Sequence, residues 1–359
     1  MTESPLRLAI VMTNAEQRGG AERLLQHLYR HADATWRLSL AFLEDGPMVA
    51  EARALGHRVQ VIPAPRLREV LSMLKCIREL RRWLRAESPD LVLGWMKKAH
   101  LYSGPAALGV VPAVWFQHEN PGTGGIDRFV HRVPASGVLC CSDMVRGKQE
   151  AITPALPART VHPCQDVAGE PSREIPWPVP EGSRAAVMVC RLQTWKGPHL
   201  AVRALRSLVD GAAPDLHLVV VGGEHSLEAE YPARLREEIR SAGLEDRVHL
   251  VGFQNAPASW MKRADLVVHA SDGEPFGMVV AEAVALGVPV VAARPGGPEE
   301  IVRSGRDGYL WNHPDTEDLA RAMQAALELR CSPDPDRFGP LAYLSQLRTA
   351  LESLRPKPR

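Results

Sequence analysis

Short apolar segments alternate with longer segments of helical periodicity along the whole chain. Leucines at helical spacing predict a helix over residues 20–31, and a longer apolar stripe predicts one over residues 67–87. The apolar segments of the first half predict strands at residues 8–12, 38–43, 59–62, 91–94, 113–116 and 138–140. Because these segments are continuously apolar and separated by helices, they favour a parallel sheet covered on both faces.

A proline-rich segment separates this series from a second one. Residues 171–182 contain four prolines, which remove backbone donors and fix φ, so residues 169–184 are predicted to be a linker. Strands are then predicted at residues 185–189, 216–221, 248–251, 266–269 and 289–292, and helices at residues 198–210, 232–242, 257–263 and 278–286. We therefore expect an α/β protein with two Rossmann-like, doubly wound parallel-sheet domains facing across a cleft, at residues 1–168 and 185–335. Residues 336–359 are predicted to form a C-terminal helix and tail, without a defined docking surface.

Composition narrows the class of protein further. A chain of 359 residues with 45% hydrophobic residues can bury more than one core, which argues against disorder. No apolar run reaches the ~20 residues of a membrane span, and the N-terminus does not resemble a signal peptide. The six cysteines lack paired metal or redox spacing, so we expect reduced thiols in a cytoplasmic protein.

The formal net charge of +1 conceals an asymmetry between the two halves. Residues 1–165 contain 21 Lys and Arg against 15 Asp and Glu, whereas the remainder contains 22 against 27. An uneven distribution of this kind bears on binding partners rather than on the fold. The basic excess lies in the half that precedes the predicted linker.

Residues 264–309 carry the most informative pattern. Glu274 lies in the loop after a predicted strand, and Glu282 lies seven intervening residues later, inside the next helix. Ligands of open α/β sheets bind beyond the carboxyl ends of the strands, where helix starts offer unpaired amides to a diphosphate. Gly277 permits close approach of the backbone to a ligand. Carboxylates accept hydrogen bonds, which suits Glu274 and Glu282 to the hydroxyls of a sugar or ribose.

The motif Glu274-Pro275-Phe276-Gly277-Met278, followed by Glu282-Ala283, resembles the E-x7-E motif of a known family. These are the retaining nucleotide-sugar glycosyltransferases of glycosyltransferase family 4, which have the GT-B fold. Gly287-Val288-Pro289-Val290, residues 296–301 and residues 307–309 continue the resemblance in order and spacing. The alternative for the two glutamates is a solvated charge on a helix surface.

A second block, residues 187–198, resembles the family's G-R-L and K-G segment, whose basic pair binds the donor diphosphate. Arg191 and Lys196 occupy those two places, and Cys190 stands where the family usually has glycine. The alternative is a pair of surface cations. Gly222 and Phe253 resemble two further donor-binding positions, although a glycine there also suits a plain turn.

The first half carries fainter resemblances. Gly19 and Gly20, within Arg18–Glu22, resemble the family's glycine-rich loop beside the diphosphate, and a plain turn before a helix is the alternative. The segment lacks the G-x-G-x-x-G pattern, which argues against a dehydrogenase. His118 resembles the family's histidine that contacts the donor sugar, and a structural histidine is the alternative.

The resemblance implies retaining, hexosyltransferase-type transfer from an NDP-sugar, with a UDP-sugar favoured, to an acceptor hydroxyl. Neither a cofactor nor a metal is implied, and Asp334-Pro335-Asp336 spells D-x-D after no predicted strand. Glu282 is expected to bind ribose, and Arg191 with Lys196 the diphosphate. The donor sugar is expected to contact Glu274, His118 and the backbone around the helix start, which comprises Phe276, Gly277, Met278 and Val279.

Two alternatives stay open at this point, a catalytically silent nucleotide-sugar-binding sensor or scaffold and a GT-B sugar-nucleotide epimerase. The acceptor could be a glycan, a lipid or a small-molecule natural product, and no nucleic-acid partner is expected. The predicted helix over residues 67–87 also suits peripheral contact with the inner membrane surface, with a solvated face as the alternative. Its basic residues are Arg68, Lys75, Arg78, Arg81, Arg82 and Arg85.

Overall fold

A computed structural model describes residues 4–17, 19–64, 69–167 and 172–355, and these form two compact units. The first unit comprises Met1–Cys164 together with Pro340–Arg359, and the second comprises Gln165–Gly339. Arg18, Leu67, Arg68 and residues 169–171 of the predicted linker lie outside the described residues.

The first unit is built on a parallel sheet of seven strands. The strands are β1 (Leu6–Met12), β2 (Trp36–Phe42), β3 (Arg58–Val61), β4 (Leu91–Gly94), β5 (Ala113–Gln117), β6 (Gly137–Cys140) and β7 (Ala158–Thr160). Their spatial order is β3-β2-β1-β4-β5-β6-β7. The connecting helices are α1 (Gly20–His31), α2 (Pro47–Ala54), α3 (Val70–Glu87), α4 (Lys97–Ala107), α5 (Asp127–Val130) and α6 (Asp143–Ile152).

The second unit repeats this plan with six parallel strands. The strands are β8 (Arg184–Val189), β9 (Leu216–Val221), β10 (Val248–Leu250), β11 (Leu266–His269), β12 (Val290–Arg294) and β13 (Gly308–Asn312), in the order β10-β9-β8-β11-β12-β13. The helices are α7 (Pro198–Val209), α8 (Tyr231–Ser241), α9 (Pro257–Met261), α10 (Met278–Leu286) and α11 (Thr316–Leu327). Short 3-10 helices cover Thr194–Lys196, Ser226–Glu228 and Gly297–Glu300. The prediction of two Rossmann-like parallel-sheet domains is therefore confirmed.

Helix α4 shows why periodicity did not single out every element. Eight of its eleven residues are buried, so the segment has no continuous polar stripe, and Pro105 interrupts its helical pattern. Amphipathic periodicity detects only a helix that has one face in water. Strand β7 has three residues, too few for a pattern.

The C-terminal helix α12 (Pro340–Leu354) belongs to the first unit. The Oε1 atom of Gln346 accepts a hydrogen bond from the backbone of His162 at 3.3 Å, and Ser353 accepts one from Arg159 at 3.0 Å. Arg348 donates to the carbonyl oxygen of Thr35 at 2.9 Å. Residues 340–359 add four Lys and Arg and one Glu to the unit that already carries the basic excess, so the charge asymmetry between the units increases.

The segment predicted as a linker packs on the second unit from residue 172 onward. It has no regular secondary structure up to β8, in agreement with its prolines. The backbone of Arg173 donates to Ser259 at 2.9 Å, and the ring of Trp177 lies 5.9 Å from that of Trp260. Gln165 also joins this unit, because it bonds to the carbonyl oxygens of Pro335 and Phe338.

Among the described residues, none of the helices combines the length and hydropathy that crossing a bilayer requires. Helix α3 buries Leu80 and Leu84, the last two residues of the predicted apolar stripe, together with Cys76, which is not part of the stripe. Leu71 and Leu74, from the start of the same stripe, are 84% and 43% exposed. The stripe therefore contributes to the core only in its second half.

The buried ring of His100 predicts a pH-dependent stability for the first unit. His100 stacks on Trp115, and burial lowers its pKa to about 4 from an ordinary value of 6.5. The unfolded chain therefore binds a proton at higher pH than the folded chain, so stability should fall as the pH drops from about 6.5 towards 4. We expect His100→Leu to reduce this loss by up to about 3 kcal/mol. Denaturant unfolding of both proteins at pH 7 and pH 4.5 measures it, and equal losses would contradict the assignment.

Candidate functional site

The candidate site lies at the point where the strand order of the second sheet reverses. Strands β8 and β11 are neighbours in parallel register, with Ala186 opposite Leu266 and Val187 opposite Val267. From β8 the chain continues to β9 on one side of the sheet, and from β11 it continues to β12 on the other. The loops after β8 and β11 therefore diverge and leave space between them, which is where open α/β sheets bind ligands.

Lys196 and Glu274 meet at this edge. Lys196 ends the 3-10 helix after β8, Glu274 lies in the loop after β11, and the lysine Nζ is 2.6 Å from the carboxylate Oε2. Both side chains are about 15% exposed. The sequence predicted both residues, and the parallel pairing of the two strands brings them together across 78 positions of the chain.

The surroundings keep Glu274 ionised. Burial by itself would raise the pKa of this carboxyl, but a hydrogen bond from His269 and the charge of Lys196 outweigh it and hold the pKa well below its usual range. His269 Nε2 lies 3.3 Å from the same oxygen, Oε2. Burial raises the pKa of the nearby Cys190 thiol to about 12, so that thiol is neutral at pH 7.

The loop that carries Lys196 is held by backbone contacts. Gly197 has φ +71°, and a Cβ atom there would lie 2.3 Å from the carbonyl oxygen of Ala270. Trp195 accepts a hydrogen bond from the backbone of Asp272 at 2.8 Å, which ties this loop to the one after β11. Its ring lies under the ammonium of Lys196, 3.9 Å from Nζ to the ring centroid. The ammonium is therefore fixed by an aromatic face and a carboxylate.

Helix α10 starts beside Glu274, and the backbone amides of Met278 and Val279 have no hydrogen-bond acceptor among the residues that the structure describes. Gly277 precedes it with φ +104° and provides no side-chain cap. The backbone bonds of the first turn begin with the amides of Val280 and Ala281, so the amides of Met278 and Val279 lie before them at the positive end of the helix dipole. This arrangement suits an anion.

Two other predicted residues, Glu282 in α10 and Phe276 just before it, are buried. Glu282 lies within the helix and is 4% exposed, so its carboxylate is buried. Phe276 is buried and packs edge-on against Phe338, with 5.6 Å between the ring centroids. Gly297 donates to the carbonyl oxygen of Glu274 at 2.8 Å, and a Cβ atom at Gly297 would lie 2.4 Å from the carbonyl oxygen of Pro275.

Arg191 follows β8 and is exposed, and within the described ranges its side chain makes no hydrogen bond or ion pair. Cys190 stands where the family usually has glycine, and its backbone does not have the positive φ that would require glycine. The residue that has to be glycine here is Gly222, because a Cβ atom at that position would lie 1.7 Å from the carbonyl oxygen of Cys190. Phe253 is 75% exposed in the loop after β10.

In the first unit, His118 follows β5, and Gly19 and Gly20 lie at the exposed start of α1. His118 Nε2 is 2.8 Å from the carbonyl oxygen of Trp95, which assigns the proton to Nε2 and leaves Nδ1 as an acceptor. Burial lowers the pKa of His118 to about 4, so the ring is neutral at pH 7. These residues line the carboxyl edge of the first sheet.

Two residues of the site were not predicted, His269 and Trp195. Both are adjacent to motifs in the sequence, His269 as the last residue of a predicted apolar strand and Trp195 directly before Lys196. A polar ring at the carboxyl end of a buried strand is a signal that could have found His269.

The D-x-D sequence near the C-terminus takes part in an ion-pair network. Arg303 donates to Asp334 at 2.8 Å and to Asp307 at 2.7 Å, and Arg337 contacts Asp307 at 3.2 Å. Asp334 is therefore an ion-pair partner of Arg303 in a network within the second unit.

Two family models match the chain. Residues 173–344 match the model described as glycosyl transferases group 1, and residues 18–164 match glycosyltransferase family 4. The two matches together span most of both units and confirm the resemblance found in the sequence motifs.

Curated relatives carry glycosyltransferase names. A D-inositol 3-phosphate glycosyltransferase from Streptosporangium roseum is 30% identical over 204 residues, 55% of this chain and 46% of the relative. One from Arthrobacter sp. is 37% identical over 150 residues, 41% of this chain and 35% of the relative. The matched regions thus span less than half the length of these relatives.

Solved structures show the same fold. Alr3699/HepE of Anabaena in complex with UDP has a TM-score of 0.77 at 21% identity and covers 97% of this chain and 100% of that one. The lipopolysaccharide outer core galactosyltransferase WaaB has a TM-score of 0.76 at 18% identity, with 97% and 99% covered. These similarities establish the GT-B fold.

The geometry at Gly197 predicts a site-specific effect of one methyl group. Gly197→Ala combines a left-handed φ with a collision against a backbone oxygen that cannot move without displacing the β11 loop. Gly243→Ala is the matched control, because Gly243 has φ +63° but open space around its Cα. We expect a destabilisation of about 1–2 kcal/mol for the control and a clearly larger one for Gly197→Ala. Denaturant unfolding measures both, and equal costs would show that the contact with Ala270 carries no energy.

Proposed function

Because the chain belongs to the GT-B glycosyltransferases of family 4, we propose that it transfers a sugar from a nucleotide-sugar donor to an acceptor hydroxyl. The observation that carries the proposal is the pairing of Lys196 with Glu274 at 2.6 Å, beside the uncapped start of α10. A cation, an ionised carboxylate and helix amides at one sheet edge can bind a diphosphate and the hydroxyls of a sugar.

The chemistry that these residues supply is stabilisation of the leaving group. When the bond between the sugar and the diphosphate breaks, negative charge develops on the diphosphate oxygens. We propose that Lys196, held by Glu274 and the ring of Trp195, and the amides of Met278 and Val279 stabilise that charge because they are already oriented before the reaction. Arg191 is proposed to add a second positive charge. In this proposal the positive charge comes from side chains and the helix dipole, and the reaction is metal-independent.

The ionised Glu274 is proposed to accept hydrogen bonds from the donor sugar. Its Oε1 receives no hydrogen bond from the residues that the structure describes, so this oxygen can accept from a ligand. Glu282 is proposed to bind ribose hydroxyls. The predicted hydrogen bond from the donor sugar to His118 stays a prediction, and a neutral ring with Nδ1 as acceptor is suited to it.

A UDP-hexose donor and retention of the anomeric configuration are the finer parts of the proposal. The Anabaena structures were determined with UDP, with UDP and glucose, and with UDP-glucose, which supports a UDP-sugar. Retention rests on the motif resemblance of Glu274 and Glu282. The basic excess of the first unit and the inositol 3-phosphate relatives favour an anionic acceptor, among the glycans, lipids and small natural products that the sequence allows.

Donor turnover tests the proposal directly. We expect a panel of UDP-, GDP- and dTDP-sugars to include one that the protein hydrolyses slowly without an acceptor. Lys196→Ala and Glu274→Gln should each lower that rate about 100-fold or more, because each removes a preorganised charge from the reacting groups. NMR of the released sugar should show the anomer of the donor.

Exposed variants of the same chemical type provide the control. Lys262→Ala and Glu237→Gln lie on the surface of the same unit and should leave turnover unchanged. Wild-type rates in both site variants would refute the proposal. Donor binding without turnover would favour the sensor alternative, and conversion of the donor to another nucleotide-sugar would favour the epimerase.

Membrane contact through α3 stays a prediction, and the structure shows which basic residues to substitute in order to test it. Arg81 donates to the carbonyl oxygens of Ala106 and Leu108 and is therefore committed to the end of α4. Arg78 and Arg82 are exposed, beside the exposed Leu74. We expect Arg78→Glu with Arg82→Glu to abolish sedimentation with anionic vesicles at low salt. Wild-type protein that does not sediment, or a variant that still does, would exclude this contact.

A further inference from the structure

The residue that completes the environment of Glu274 is His269. It is the last residue of β11 and is 6% exposed. Leu266 and Val268 of the same strand belong to the core cluster on one face of the sheet, so strand alternation places His269 on the other face. Its carbonyl oxygen accepts a hydrogen bond from the indole of Trp311 at 3.3 Å, which fixes the backbone at this position.

Two donors converge on one oxygen of Glu274. Lys196 Nζ lies 2.6 Å from Oε2, and His269 Nε2 lies 3.3 Å from the same atom. The second nitrogen of His269, Nδ1, is buried and has no hydrogen-bond partner among the described residues. A buried nitrogen without a partner is unfavourable, and an apolar residue at this position would avoid it. Because Nδ1 has no partner, the contact of Nε2 with Glu274 is the only polar contact of the ring among the described residues.

Lys196 alone cannot hold Glu274 throughout the proposed reaction. A donor diphosphate at the carboxyl edge competes with Glu274 for the ammonium of Lys196, since both are anions. A buried carboxylate that loses its partner tends to take up a proton, and a protonated Glu274 would accept fewer hydrogen bonds from a sugar. A second donor that stays on Oε2 prevents this.

We propose that His269 is a positioning residue that keeps the carboxylate of Glu274 ionised and oriented towards the donor sugar while Lys196 binds the diphosphate. This inference rests on the proposed function of the site. In the tautomer with the proton on Nε2, His269 donates to Oε2, and Oε1 is left for the sugar hydroxyls.

The pH dependence of the site should report this role. The groups that face Glu274 are Lys196 and the Cys190 thiol from the loop after β8 and His269 from β11. The hydrogen bond from His269, together with the charge of Lys196, lowers the pKa of Glu274. Its removal should therefore raise that pKa and shift the acidic limb of the rate profile to higher pH. A residue that only packs would change the rate without shifting the limb.

Three substitutions separate the hydrogen bond from packing. In His269→Gln the amide nitrogen can occupy the place of Nε2 and donate to Glu274 without titrating. His269→Asn carries the same amide on a shorter side chain that does not reach, and His269→Leu carries no donor. We expect His269→Leu and His269→Asn to lower kcat for donor hydrolysis about tenfold to a hundredfold at neutral pH, with the acidic limb shifted upward. His269→Gln should retain most of kcat and the wild-type limb.

A direct titration distinguishes failure of this inference from failure of the proposed function. Glutamate labelled with carbon-13 at the side-chain carboxyl gives NMR signals, and the signal absent from Glu274→Gln identifies Glu274. Its titration should move to higher pH in His269→Leu and stay low in His269→Gln, whether or not the protein turns over any donor. An unmoved titration in His269→Leu, or equal behaviour of the three variants, would overturn the inference. If the titration moves in His269→Leu while the wild-type protein turns over no donor, the contact is upheld and the proposed function is rejected.

Discussion

The parallel pairing of β8 with β11 is the constraint on which the candidate site depends. Parallel strands end at the same edge of their sheet, so the loops that follow them meet there however distant they are in sequence. Lys196 and Glu274 are brought to 2.6 Å in this way. The reversal of strand order at this pair directs the two loops apart and makes room for a ligand beside the charges.

The electrostatics of the site follow from that placement. A carboxylate as buried as Glu274 would be unfavourable alone, and it is stabilised by the charge of Lys196 and the hydrogen bond from His269. Lys196 is in turn held against the face of Trp195. The ion pair is therefore part of a network that joins the loop after β8 to the end of β11 and the loop that follows it. A change in either loop affects both Lys196 and Glu274.

Close backbone approach explains two glycines of this unit, Gly197 and Gly222. Gly197 contacts Ala270, and Gly222 contacts Cys190, at distances that leave no space for a Cβ atom. These contacts hold the loops after β8, β9 and β11 together at the carboxyl edge. Cys190 could replace the glycine usual in the family because the close approach is made by its carbonyl oxygen, while the glycine that has to lack a side chain is Gly222.

The sequence by itself determined the alternation of strands and helices, the two-domain plan and the motif residues at the ends of β8 and β11, because these depend on local periodicity and on short spacings. It did not determine that α12 belongs to the first unit, that the segment from Gln165 packs on the second, or that His269 contacts Glu274. Those facts depend on which surfaces meet after folding. The sequence does not show which element covers an apolar helix face, or which side chain accepts a single hydrogen bond. The sequence also did not determine that the start of α3 is exposed. A periodic stripe shows which residues share a face but not whether another element covers that face.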